Sequence, residues 1–377
     1  MISVYCLIFY RNEVKEKLRC KSKAYFFLFL LFVYGLYSFL YYYNDGHFDF
    51  ARAVISCFFL FLLTPSRLFN RRNLFFVVSF CSVVTVLSAF YESYFLDVLR
   101  VGYVVNSGPY SYVCSLLLVT QCYFLFSNRD NTTRLYKISG FAFNLIVVLG
   151  LLFVIYMTVT RTAWMGISLV CLFYLFKMVK NYSPKWVCIS FLIGIFSLFL
   201  LSTQSKFKSR IDTTVAEANL IKLGDYTSSF GSRIDMWKNG IAFGKNSPII
   251  GLNQELEIQL VVDSYNHNKM QKLAYKILNH SRSSYHNVFV QAWVKGGVVA
   301  LVVMSILVFA LPIFKVNRHY ETLIIPITIL TFIASLLESQ FTIYSSCTYF
   351  YLLFIGWQIL SDESWKGYGA ERSQVVP

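Results

Sequence analysis

The chain has little charge. Only 14% of its 377 residues are Asp, Glu, Lys or Arg, against roughly 25% in a soluble globular domain. That shortage, with a mean hydropathy of +0.55, excludes an ordinary cytosolic enzyme. The 37 Phe and 27 Tyr exclude a disordered chain. Cysteine chemistry is missing where it would matter. The polar stretch 203–286 contains none, and Cys57, Cys81, Cys114, Cys122, Cys171 and Cys188 lie within apolar runs. Cys6 and Cys20 lie near the N-terminus, which leaves Cys347 alone near one face. No disulfide framework follows, and no CxxC or His/Cys cluster points to zinc. Asp45-Gly46-His47-Phe48-Asp49 is the one short acidic cluster, and it reads as an exposed turn. No recognised nucleic-acid motif is present, which sets that partner aside.

What the sequence does have is apolar runs, at 24–43, 48–63, 74–91, 109–126, 138–159, 162–178, 186–202, 288–314, 322–337 and 344–360. A helical crossing takes about 20 residues, so 48–63 and 322–337 are the shortest candidates. The runs lack the strict alternation and ten-residue length of barrel strands. No run follows the pattern of a removable signal peptide. The expectation is an all-α, polytopic membrane bundle of about ten spans.

Charge placement gives an orientation. With the N-terminus cytoplasmic, the inside segments are 1–23, 64–73, 127–137, 177–185, 315–321 and 361–377, and they hold 19 of the 34 Lys and Arg. The short outer connections hold only Arg52, Arg100 and Arg161, against Asp45, Asp49, Glu92, Asp97 and Glu338. This asymmetry satisfies the positive-inside rule with both termini inside. Most of the net charge of +15 therefore reports topology rather than substrate.

One connection is long. Residues 203–286 form an 84-residue polar stretch on the outer side, and such loops are exempt from the charge rule. Ser232-Arg233-Ile234-Asp235 has capping-box spacing, with Ile234, Trp237 and Ile241 following at helical intervals; Met270, Leu273 and Ile277 repeat them. The expected organisation is a bundle over 1–202, a small, mostly helical loop domain over 203–286, and a second bundle with a cytoplasmic tail over 287–377.

Four outer features carry candidate chemistry. Arg161 sits in the tight turn Thr160-Arg161-Thr162-Ala163-Trp164, against the charge bias. Arg233 lies in Gly231-Ser232-Arg233-Ile234-Asp235-Met236-Trp237; with Ser232 as cap, it falls near first-turn N–H groups that attract anions. His286-Asn287 opens the eighth apolar run, with Lys295, Gly296 and Gly297 beyond it. An imidazole is suited to proton transfer near neutrality, and a cation within a span is a functional candidate. Arg100 heads the connection through Asn106-Ser107-Gly108-Pro109. For each residue a bland reading competes: snorkelling for Arg161 and Lys295, a solvated helix face for Arg233, and a turn around Arg100. Taken together, outward arginines above a bundle make a site for a phosphate-bearing molecule.

At these residues the chain resembles the O-antigen ligases of lipopolysaccharide assembly, within a ligase/polymerase superfamily. The resembling stretches are Thr158–Trp164, Arg210–Asp212, Gly231–Gly251 and Ser284–Ala300. The most specific piece is Gly-Ser-Arg-x-x-Met-Trp paired with Tyr-His-Asn before a Gly-containing span. The resemblance implies a GT-C-like helical fold with a periplasmic loop domain in the bacterial inner membrane, the active site facing the periplasm. It implies inverting glycosyl transfer without a metal or other cofactor. Undecaprenyl pyrophosphate-linked O-antigen would be the donor and a sugar of the lipid A-core the acceptor, among membrane lipids. The family's catalytic positions fall on Arg161, Arg233 and His286, its pyrophosphate or acceptor contacts on Arg161 and Arg233, with Arg210, Arg100 and Lys295 as further binding candidates. An O-antigen polymerase using the same donor is the near alternative. A flippase is a weaker one, because transporters place ionisable groups deep in several spans. The family usually has about two more spans, and Met1–Tyr10 reads as the inner end of a span whose beginning is missing.

Overall fold

The computed structural model describes residues 48–65, 68–98, 101–102, 106–127, 134–181, 205–279, 283–309 and 321–338, with scattered positions in 29–35 and 347–357. Every element among them is a helix. In chain order they are α1 (Phe48–Leu63), α2 (Arg71–Tyr94), α3 (Ser107–Ser127), α4 (Arg134–Thr158), α5 (Arg161–Asn181), α6 (Ser205–Lys222), α7 (Ser229–Gly244), α8 (Gln254–Asn266), α9 (Lys272–Leu278), α10 (Val288–Val308) and α11 (Glu321–Leu337). Within these, Arg72–Tyr94, Gly140–Thr158 and Val288–Val308 are long and apolar enough to cross a membrane, while Phe50–Leu63 and Leu323–Leu337 are apolar but shorter. The expected run 186–202 and most of 24–43 lie outside the described residues, and 344–360 is described only in part, as helix.

Burial follows the logic of a lipid-solvated bundle. Large apolar side chains such as Phe80, Leu87, Ile146 and Phe176 point outward and are exposed. Polar groups turn inward: Gln121 Nε2 donates to Ser79 Oγ at 3.1 Å, and Tyr112 OH and Thr331 Oγ1 lie 2.9 Å apart. Lipid is as apolar as leucine, so helices there associate through packing and interhelical hydrogen bonds rather than hydrophobic burial. Helices α2, α3 and α4 pack mutually, and α11 packs against α3, α5 and α10.

The helices of the 205–279 stretch build a second, smaller core from Met236, Phe243, Leu252, Val261, Met270, Ala274, Leu278, Tyr285, Val290 and Val294. Here one sequence expectation is corrected. Helix α7 starts before Ser232: its N-cap is Ser228, whose Oγ accepts the Gly231 N–H at 3.0 Å. The serine at 228 wins because Gly231 can press against the Tyr226 backbone, where a Cβ would come within 2.8 Å. Ser232 is thus helical, and Arg233 is no longer at the free N–H groups. Of the residues at helical spacing, Trp237 packs half-buried against this core while Ile241 is exposed, and the fully buried face is another. That face is Met236, Gly240, Phe243 and Gly244, because the two glycines allow close contact with Tyr285 and Trp293. In α9 the buried residues are Ala274 and Leu278, with Ile277 packed half-buried beside them.

Loop and membrane helix meet closely at a break in the helix. Helix α10 breaks at Gly297 (φ 60°), and the segment after Pro248 fits the break. Leu252 N–H donates to Val294 O at 2.7 Å, and Val298 N–H to Pro248 O at 2.8 Å. A Cβ on Gly251 (φ 78°) would lie 2.3 Å from Gly296 N, and one on Gly297 would lie 2.3 Å from Ile249 O. Only glycine fits either place.

Candidate functional site

The site is assembled at the end of α11. A helix C-terminus presents carbonyls without intrahelical partners and a partial negative charge. Arg233 Nη1 donates to Leu337 O at 2.7 Å, and Asn287 Nδ2 donates to Leu336 O at 3.0 Å. Asn287 also caps α10, its Oδ1 accepting the N–H groups of Phe289 and Val290 at 2.9 and 3.0 Å. One asparagine therefore locks the start of α10 to the end of α11, with His286 immediately before it.

The next residue after α11 is Glu338, and it draws two of the expected residues together. Its Oε1 accepts Arg233 Nη2 at 2.9 Å, and its Oε2 lies 3.0 Å from His286 Nδ1. Sequence reasoning had treated Glu338 only as one outer acid among several. Burial raises the Glu338 pKa, but the hydrogen bond from His286 and the charges of Arg233 and His286 outweigh it, and the net shift is downward. The sign of the linkage follows. A lowered carboxylate contributes stability that is fully present above its unfolded value, near 4.5, and is lost as pH falls through the folded value. Thermal unfolding of the solubilised protein should therefore show wild type more stable than Glu338→Gln at neutral pH. The two should converge as pH falls below that range.

Arg161 is held differently. It opens α5 after Val159, whose φ of 51° is rare for a β-branched residue, and its Nη1 pairs with Glu217 of α6 at 2.5 Å. Its Nε is buried without a hydrogen-bond partner. The residue before Arg161 ties to the start of α3: Thr160 Oγ1 donates to Ser107 O at 3.3 Å. A narrow crevice between α3, α5 and α11 is lined by Gly108, Ser111, Thr162, Ala163 and Glu338 among others. Left-handed backbone gathers around this crevice, at Asn106 (φ 76°), Val159 (φ 51°) and His286 (φ 48°). Such strain persists where surrounding structure over-determines it, often at functional sites.

Lys295 lies elsewhere. It is 2% exposed, 3.4 Å from Glu257 Oε2 and 2.9 Å from Ser283 Oγ, and Ser283 in turn donates to Glu257 Oε1 at 2.9 Å. This buried network ties α8 and α10 to the segment that leads into His286. Arg210 falls within α6, but its side chain lies outside the described part, as does the whole of Arg100.

The structure thus brings Arg233 and His286 onto one carboxylate, pairs Arg161 with a second, and encloses Lys295 with a third. The carboxylates Glu217, Glu338 and Glu257 were the residues that sequence reasoning missed as partners. For Glu338 a signal was available, a lone acid at the end of an apolar run.

Comparison with known proteins adds a family. Residues 145–305, which include Arg161, Arg233, His286 and Lys295, match a family model described as O-antigen ligase. A protein of Haemophilus influenzae, described only as uncharacterized, is 27% identical over 167 residues, covering 43% of this chain and 40% of that protein. The chain thus spans well under half the length of this relative. The family match covers less than half of the chain.

Proposed function

We propose, from the match of residues 145–305 to the O-antigen ligase family model, that the protein is an O-antigen ligase. It would transfer O-antigen polysaccharide from undecaprenyl pyrophosphate to a sugar of the lipid A-core on the periplasmic face of the inner membrane. The observation that carries the reading is the single carboxylate shared by Arg233 and His286, at 2.9 and 3.0 Å. An acceptor hydroxyl needs a base, and a carboxylate on His286 Nδ1 fixes the ring so that Nε2 is the atom free to take the proton. In the single displacement, the acceptor oxygen bonds to the anomeric carbon as the bond to phosphate breaks. The electron pair leaves with the pyrophosphate.

Negative charge then grows on phosphate oxygens, and guanidinium groups preorganised beside them stabilise it. Arg233 and Arg161 take that part. Each has five N–H donors, so a carboxylate partner leaves others for a phosphate. Arg210 and Arg100 remain candidates for holding the donor or acceptor. Lys295, enclosed with Glu257 and Ser283, is given the part of bracing the segment before His286 rather than touching substrate.

Expression in a ligase-null strain, with analysis of its lipopolysaccharide, tests the reading. Long O-chains on lipid A-core are the expected result. Restoration instead of long chains in a polymerase-null strain, with the ligase-null strain unrescued, would assign the protein to polymerisation of the same donor.

A further inference from the structure

Helix α7 ends in an apolar segment that the fold leaves uncovered. Ile249 is 65% exposed, Ile250 58% and Ile241 52%. These residues do not belong to a loose loop tip. The hydrogen bonds from Leu252 to Val294 and from Val298 to Pro248 bracket them, and the close contact of Gly251 with Gly296 fixes the backbone between. The fold therefore holds two adjacent isoleucines outward in a defined place.

That place adjoins a surface whose solvent is already assigned. Val298 follows the Gly297 break in α10, one of the helices long and apolar enough to cross a membrane. Val298, Val299 and Val302 are exposed on it, as side chains facing acyl chains would be. Because Val298 N–H bonds to Pro248 O, Ile249 continues that same apolar surface. The residues just before it are polar, with Lys245 and Asn246 exposed, and on the far side Asn253 and Glu255 are exposed as well. An apolar tip between polar flanks, one of them a lysine, is the pattern of a segment seated at a bilayer surface.

We propose that Lys245–Ile250 is a membrane foot, with Ile249 and Ile250 inserted among the acyl chains of the bilayer and Lys245 among the headgroup phosphates. Ile241, on the last turns of α7, extends the same contact. The foot fixes the C-terminal end of α7 to the membrane, and the other end of that helix carries Arg233. The inference rests on burial and packing alone and stands whichever reaction the site performs.

The test uses the full chain in nanodiscs holding one copy each, made of phosphatidylcholine and phosphatidylglycerol, so that both faces are accessible. Ile249→Cys, Ile250→Cys and Lys269→Cys are compared, with wild type giving the background from native thiols. A water-soluble maleimide should modify the 249 and 250 thiols about tenfold or more slowly than the one at 269, and sodium dodecyl sulfate should equalise them. A bimane fluorophore at 249 or 250 should be quenched by doxyl-labelled lipid and little by aqueous iodide. Equal labelling rates at all three positions in single-copy discs would overturn the proposal. So would protection that appears only in discs holding two copies, which would make a second chain the occupant. If one isoleucine variant fails to insert, the other and Ile241→Cys carry the same comparison.

Discussion

Glu338→Ala is expected to reduce glycosyl transfer by between about a hundredfold and ten-thousandfold, with the protein still inserted and folded. The lower bound is the usual cost of losing one preorganised donor to a developing oxyanion. The upper bound is the cost of removing the carboxylate that orients a catalytic histidine in the serine proteases. Glu338 bonds to both groups at once, His286 at 3.0 Å and Arg233 at 2.9 Å, so its loss frees the base and the phosphate clamp together. Glu338→Gln should recover little. Its amide keeps one acceptor oxygen, while its NH2 faces either a guanidinium or an imidazole that also needs an acceptor. The measurement is ligation in proteoliposomes with purified donor and acceptor, with elution of the solubilised variant checking the fold. Groups that act as one unit are strongly non-additive, so Glu338→Ala combined with His286→Ala should be scarcely worse than His286→Ala alone. Multiplying effects would place Glu338 outside the unit.

Much of this arrangement was legible in the sequence, and the reasons for the rest are physical. Apolar runs located seven helices, because length and hydropathy are local properties; α2 merely extends the run 74–91 to Arg71–Tyr94. Arg161, Arg233 and His286 were found from position and resemblance. Their carboxylates were not, because an ion pair depends on tertiary packing: Glu217 lies 56 residues from Arg161, and Glu338 lies 105 from Arg233. The buried face of α7 was not legible for a different reason. Hydrophobic periodicity gives glycine no weight, yet Gly240 and Gly244 are what let this helix touch Tyr285 and Trp293. The stripe that periodicity did find includes Ile241, which remains exposed. Lys295 was read as a candidate substrate contact because a cation in an apolar run suggests function. A buried charge must also be paired, and Glu257 satisfies that requirement.

Arg161→Ala should lower the rate by about a hundredfold or more, whereas Glu217→Gln should leave it within about tenfold of wild type, because the amide oxygen can still accept from the guanidinium. The contrast matters because the two residues form one ion pair. Were the pair only a brace between α5 and α6, breaking it from either side would have the same effect. If instead Arg161 serves the leaving pyrophosphate, Glu217 is a resting partner that the donor must displace. Removing the resting partner should then lower the donor KM, since less competition remains for the guanidinium. Arg161 is suited to such an exchange: its side chain is 26% exposed, and the residues after it line the crevice that ends at Glu338. Kinetics against donor concentration distinguish the cases. Equal loss in Arg161→Ala and Glu217→Gln, with KM unchanged in both, would reduce the arginine to a structural tie and leave Arg233 as the phosphate contact.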